Sequence, residues 1–173
     1  MSESLSVSDQ HEPANLPEGR FSGPTAFSDL VRLALEAAAK QGWREMILSD
    51  QDFHDWPLGE RTVVQSLNDW AGSGRRITLL AANYDDVYRR HARFVTWRKI
   101  WSHLIDCRVA GKGHAGDVPS AFWSPVWVVH RIDPVQMRGF SGADVASRVI
   151  LRERLTELVL QSSAGFQATT LGL

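Results

Sequence analysis

Two short apolar runs, REMILSD at residues 44–50 and RRITLLAAN at residues 75–83, constrain the fold of this chain more than any other feature. Each is too short for a core helix, and each is followed by a polar loop and then by a helical pattern. Continuous apolar runs of that length alternating with helices read as strands buried on both faces of a parallel sheet. From Trp43 to Arg108 the pattern is therefore βαβαβ, with strands expected at residues 45–49, 77–82 and 104–107. A parallel sheet leaves its ligand crevice beyond the carboxyl ends of its strands. The loops expected there, SDQDFHDWPLGER and NYDDVYRRHAR, are the most polar stretches of the chain.

The rest of the chain fits around that core as an α/β domain with a mainly parallel sheet and helices on both faces. With 173 residues, 43% of them hydrophobic, one domain over residues 25–173 is expected. Residues 1–24 are rich in Ser, Glu, Asp, Pro and Gly and read as a disordered tail. Phe27, Leu30, Val31, Ala34 and Ala38 recur at helical spacing up to Gly42, and Val63, Val64, Leu67 and Trp70 mark a second helix ended by Gly72 and Gly74. A long helical stretch to about His103 leaves room for one break. The run AFWSPVWVVHRI reads as a fourth strand, with Pro125 indicating an edge or bulge. A last helix is expected from Ser141, with Ser141 and Asp144 as a capping pair, to Ser162, and FQATTLGL could add a fifth strand.

The formal charge of −1 argues against a surface that coats nucleic acid or anionic membrane as a whole, while allowing a local basic patch. One cysteine, Cys107, excludes a disulfide within the chain and fits a reducing compartment. No apolar run reaches the ~18 residues of a membrane helix, and the amino terminus lacks the pattern of a signal peptide, so a cytoplasmic location is expected.

Two constellations could carry chemistry. Asp50, Asp52, His54 and Asp55 crowd the first loop ahead of Glu60 and Arg61. Such a set can hold a hard cation or move protons, and it is equally what helix capping and dipole compensation produce. After the second strand, Tyr84 precedes a basic helical stretch with Arg89, Arg90, Arg93, Arg98 and Lys99. On a helical wheel Arg90, Arg93, Trp97 and Trp101 lie near one another, a mixture suited to phosphates or bases, or else a solvated face over buried tryptophans. The pattern places His91 on a helix and His130 at a strand end beside the crevice, and the histidines have no metal-ligand spacing. Neither a Walker loop nor a dinucleotide fingerprint is present, and no cofactor or metal is expected. Cys107 reads as a buried small hydrophobe.

The order of strand, helix, GRRITLLAA, helix, HLIDCR, FWSPVWVVHRID and closing helix resembles half of a phospholipase D-like domain over residues 44–161. The resemblance extends to short bacterial proteins sharing a degenerate half-domain. Catalytic members of that superfamily carry His-x-Lys followed by Asp; here the nearest strings are His91-Ala92-Arg93 and His130-Arg131-Ile132-Asp133. The resemblance thus implies the scaffold and a phosphate-binding crevice without the phosphodiesterase machinery. The expected function is a non-catalytic domain binding an anionic or phosphorylated ligand, or a protein partner, through Asp50, Asp52, Arg61, Tyr84, Arg89, Arg90 and Arg93. Two alternatives stand beside it. One is a metal-assisted hydrolase with His54, His91 or His130 as the catalytic group; the other is a homodimer built on the strand at Pro125.

Overall fold

Both apolar runs form neighbouring strands in the middle of one eight-stranded sheet. A computed structural model of the protein describes residues 15–166. Its strands are β1 (Gly19–Ser22), β2 (Glu45–Asp50), β3 (Arg76–Ala81), β4 (Ile105–Val109), β5 (Ser120–Trp123), β6 (Val128–Asp133), β7 (Arg138–Gly142) and β8 (Ser163–Ala164). They lie in the order β1-β7-β6-β5-β2-β3-β4-β8. The helices are α1 (Pro24–Gln41), α2 (Arg61–Trp70), α3 (Asp85–Arg90), α4 (Ala92–Ile100) and α5 (Val145–Leu160).

The α/β class and the parallel trio β2, β3, β4 match expectation, but the sheet as a whole is not mainly parallel. It is mixed and mostly antiparallel, since every other pairing in it, including β2 with β5, runs antiparallel. The reason is local. Residues 121–132 do not form one strand, because the Ser124 hydroxyl accepts the backbone N–H groups of Val126 and Trp127 and donates to the Trp127 carbonyl. The chain folds back there into a hairpin, with Pro125 in the turn where its missing N–H costs no ladder bond. β5 is consequently paired on both sides, and the edge strand expected at Pro125 does not exist.

The tail expected over residues 1–24 is corrected for its second part: Gly19–Ser22 pairs with β7, and α1 starts at Pro24. The Pro17 carbonyl accepts from the Trp127 indole and the Ser141 hydroxyl, tying this segment to the sheet. Residues 1–14 lie outside the described residues, as do 167–173 of the expected last strand; β8 forms just before them. Ser141 belongs to β7, and Asp144 alone caps α5, accepting the Ser147 N–H.

Strand alternation divides the core between the two faces of the sheet. Met46, Leu48, Ile77, Leu79 and Phe122 face α1, α2 and α4, where they meet Leu35, Leu67, Phe94 and Trp97. Ile47, Leu80, Ala121, Trp123 and Val128 face the opposite way, toward Leu151, Leu155 and Leu158 of α5. Helices thus cover both faces. Among the described residues no helix is long and apolar enough to cross a membrane.

Candidate functional site

The crevice beyond the carboxyl end of β2 is filled by the chain's own loop. Asp50 starts it: one carboxylate oxygen accepts the N–H groups of Asp52 at 3.2 Å and Phe53 at 2.8 Å, turning the backbone so sharply that Phe53 has a left-handed φ of 57°. The other oxygen meets Arg131 Nη2 at 3.2 Å. Arg131 comes from β6 and is 3% exposed. It reaches both oxygens of Asp55 at 2.6 and 3.0 Å, donates from Nε to Ser120 Oγ at 3.0 Å, and lies 4.1 Å over the Phe27 ring. Burial opposes charge on both sides of this pair. The hydrogen bond and charge of Arg131 nevertheless hold Asp55 below the ordinary carboxylate range, and the two carboxylates keep Arg131 above its usual value.

The far side of the same loop is pinned by His91, at the junction of α3 and α4. Its Nε2 lies 2.7 Å from the Phe53 carbonyl, which can only accept, so Nε2 carries the proton. Burial, reinforced by Arg90 and partly opposed by that carbonyl, lowers the His91 pKa. Gly59 packs against His91 so closely that an added Cβ would sit 2.9 Å from the Arg90 carbonyl oxygen and 3.1 Å from the His91 ring. Trp56 and Phe53 close the loop as a T-shaped pair.

Other candidates are likewise spent on structure. Tyr84 is buried, its hydroxyl donating to the carbonyls of Arg108 at 2.8 Å and Leu79 at 3.2 Å, its ring stacked on Phe166. Asp52 accepts the His54 N–H at 3.0 Å, and the exposed His54 ring stays near it. His130 lies on the sheet face under α5, across the sheet from His91, so the three candidate histidines do not share a cavity. Among the described residues no cluster of three or more His, Cys, Asp or Glu is arranged to hold a metal ion. Arg98, expected on a solvated face, is buried beside Cys107, 5.9 Å from the centre of the Phe166 ring and 3.4 Å from the Phe166 carbonyl, and its Nε and Nη1 have no hydrogen-bond partner among the described residues. Arg131 went unselected by sequence reasoning. Its signal was alternation, because in VVHRID it shares a face with the buried Val129.

Two of the expected ligand residues do come together, outside the crevice. A groove of about 340 Å³ between α2 and α4 is lined by Arg61, Gln65, Asn68, Arg93, Thr96 and Trp97 among others, with no carboxylate in its lining. Both arginines are exposed; Arg93 spends one N–H on the Gly59 carbonyl at 3.0 Å, and Arg61 has no ion-pair partner among the described residues. The buried Trp97 indole N–H has no hydrogen-bond partner among the described residues. Arg89 and Arg90 are exposed on neighbouring α3, Arg90 4.0 Å from Asp86.

The fold and this site define an α/β domain with a closed sheet edge and a cationic helix surface. No protein-family model matches the chain, and no curated protein matches it. Among solved structures it is similar to TrmBL2, described as an archaeal chromatin protein with a novel mode of DNA binding, with a TM-score of 0.62 and 11% sequence identity. The similarity covers 91% of this chain and 57% of that one, and at such identity it bears on the fold alone.

Proposed function

We propose that the chain is a non-catalytic, phospholipase D-like α/β domain that binds a phosphate-bearing ligand in the groove between α2 and α4. Arg61 and Arg93 supply the contacts, and Arg89 and Arg90 extend the cationic surface. One observation carries this reading: two exposed arginines line a groove whose described lining holds no carboxylate and includes Trp97, whose buried indole N–H has no partner among the described residues. An anion there gains charge-assisted hydrogen bonds without displacing an internal ion pair. The absence of catalysis is supported by the sheet edge, where both Asp50 oxygens and the His91 Nε2 are already engaged.

The test is calorimetric titration of the intact protein with inorganic phosphate, a nucleoside monophosphate and a short DNA duplex. The fold neighbour TrmBL2 is described as binding DNA, which makes the duplex a necessary probe. The expected result is saturable binding that Arg61→Ala with Arg93→Ala weakens at least tenfold, about 1.4 kcal/mol, with an unchanged melting temperature because both side chains are exposed. A steep salt dependence with the duplex alone would identify a phosphodiester backbone as the source of the phosphates. Binding equal to wild type in the double variant would sink the proposal.

A further inference from the structure

A second cavity, of about 420 Å³, lies on the opposite face of the sheet beneath the start of α5. Phe140 of β7 with Ile150 and Leu151 of α5 make it apolar; His130, Ser147 and Arg154 make its polar side. The size falls in the range of small-molecule sites, and so does the combination of an apolar body with a few converging polar groups.

His130 pairs with Phe140 across β6 and β7, their ring centroids 5.9 Å apart. Half-buried, it makes no side-chain hydrogen bond to another described residue. Burial, and after it Arg154, lowers the pKa of its imidazole, and the neutral ring carries one N–H. Arg154 has no carboxylate partner among the described residues, and its one side-chain bond is a 3.4 Å contact with the Asp117 backbone carbonyl. The Asp117 carboxylate, also at the rim, is 3.7 Å from His114 Nδ1. Beyond α5 the apolar surface continues, because Phe140 also lines a wider hollow over β6, β7 and β1 with Ile132, which is 63% exposed.

We infer that this cavity binds an apolar monocarboxylate, its carboxylate on Arg154 and the His130 N–H, its chain or ring along Phe140, Ile150 and Leu151. The unpaired guanidinium selects an anion, and the apolar lining selects against inorganic phosphate or a nucleotide. Asp117 at the rim disfavours a second negative charge on the ligand. The site is independent of the groove between α2 and α4, since the sheet separates them.

Octanoate is the probe, with octan-1-ol and inorganic phosphate as comparators, titrated into the intact protein by calorimetry. Octanoate is expected to bind at least tenfold more tightly than octan-1-ol. Arg154→Gln, at an exposed position, should bring octanoate down to the level of octan-1-ol, with thermal unfolding checking that the variant is folded. Leu151→Trp, which fills the cavity, should abolish both, with thermal unfolding confirming that the variant is folded. If Leu151→Trp fails to fold, Ile150→Asp at the exposed rim replaces it, and is expected to weaken octanoate through the added carboxylate. Arg61→Ala with Arg93→Ala should leave octanoate affinity unchanged, which separates this site from the groove. Equal affinity for octanoate and octan-1-ol, no saturable octanoate binding, or an Arg154→Gln variant that binds like wild type would overturn the inference.

Discussion

Replacing Arg131 by Met removes the guanidinium from the middle of the sheet edge while keeping a long apolar stem over Phe27. The loss can be worked from its surroundings. Asp50, 4% exposed, keeps the two backbone N–H groups on one oxygen but loses the cation facing the other, and Asp55 loses both of its contacts. Ser120 Oγ loses a donor as well. Breaking a buried pair from one side costs roughly 3–5 kcal/mol, and the backbone bonds that Asp50 retains argue for the lower end, about 3 kcal/mol. With a urea slope of about 2 kcal/mol per M, the unfolding midpoint followed by tryptophan fluorescence should fall by about 1.5 M. The pH dependence follows in sign. Arg131 depresses the Asp55 pKa in the folded state, so the stability due to Asp55 is complete above its ordinary value of 3.8 and is lost as pH falls through the lower folded value. The gap between wild type and Arg131→Met should therefore narrow below about pH 4. In a double-mutant cycle, Asp55→Ala should cost less in the Arg131→Met background than in wild type, with a coupling of about 1 kcal/mol or more. A midpoint shift below about 0.3 M, or strictly additive costs, would refute the view that this triad fastens the loop to the sheet.

Gly59→Ala should destabilise by about 1–3 kcal/mol, because the new methyl meets the Arg90 carbonyl and the His91 backbone, neither of which can turn aside. That corresponds to a fall of roughly 2–4 °C in Tm per kcal/mol, and an unchanged Tm would show that the loop does not rest on the α3–α4 junction. Cys107 is 3% exposed, and burial pushes its thiol up to about 12 despite Arg98 nearby. At pH 8 a disulfide reagent should therefore label it only as fast as the protein opens, at a rate that rises with urea; complete labelling within seconds in native buffer would contradict its burial.

Much of the parallel core was legible because its signals are local. The runs that became β2 and β3 are continuous and apolar, Gly42 takes the left-handed turn that ends α1, and the basic stretch has the one break it left room for, at His91. What escaped reading depends on distant partners. GRFS and RGFSG carry glycine and arginine and have weak strand propensity, yet they pair with each other from Gly19 opposite Ser141 to Ser22 opposite Arg138. Gly139 lies opposite Phe21 in that pairing, and on its other side a Cβ would collide with the His130 carbonyl of β6. The hairpin at Ser124 was hidden because its apolar flanks read as one run. For the site, residue type announced chemistry and packing decided its use. Asp50, Tyr84 and His91 are buried near the strand ends, and burial there obliges each to find a partner within the protein.

The mixed sheet also explains why the candidate anion site lies on helices. β5 runs antiparallel beside β2, so its first residue, Ser120, comes next to the carboxyl end of β2, and β6 then returns with Arg131 opposite Ser120. An internal cation therefore occupies the place where a fully parallel sheet would leave a crevice, and it is shared between Asp50 and Asp55, which leaves the cluster net negative. An incoming anion would meet a closed, net-negative cluster there. Arg61 and Arg93 have no carboxylate partner among the described residues, which leaves their charge for the solvent or a ligand. Stability and binding should accordingly separate. Arg131→Met should lower the urea midpoint while the folded protein keeps its phosphate affinity, and Arg61→Ala with Arg93→Ala should do the reverse. If Arg131→Met instead weakened phosphate binding in proportion to Arg93→Ala, the ligand would have to reach the sheet edge, and the loop after β2 would have to open to admit it.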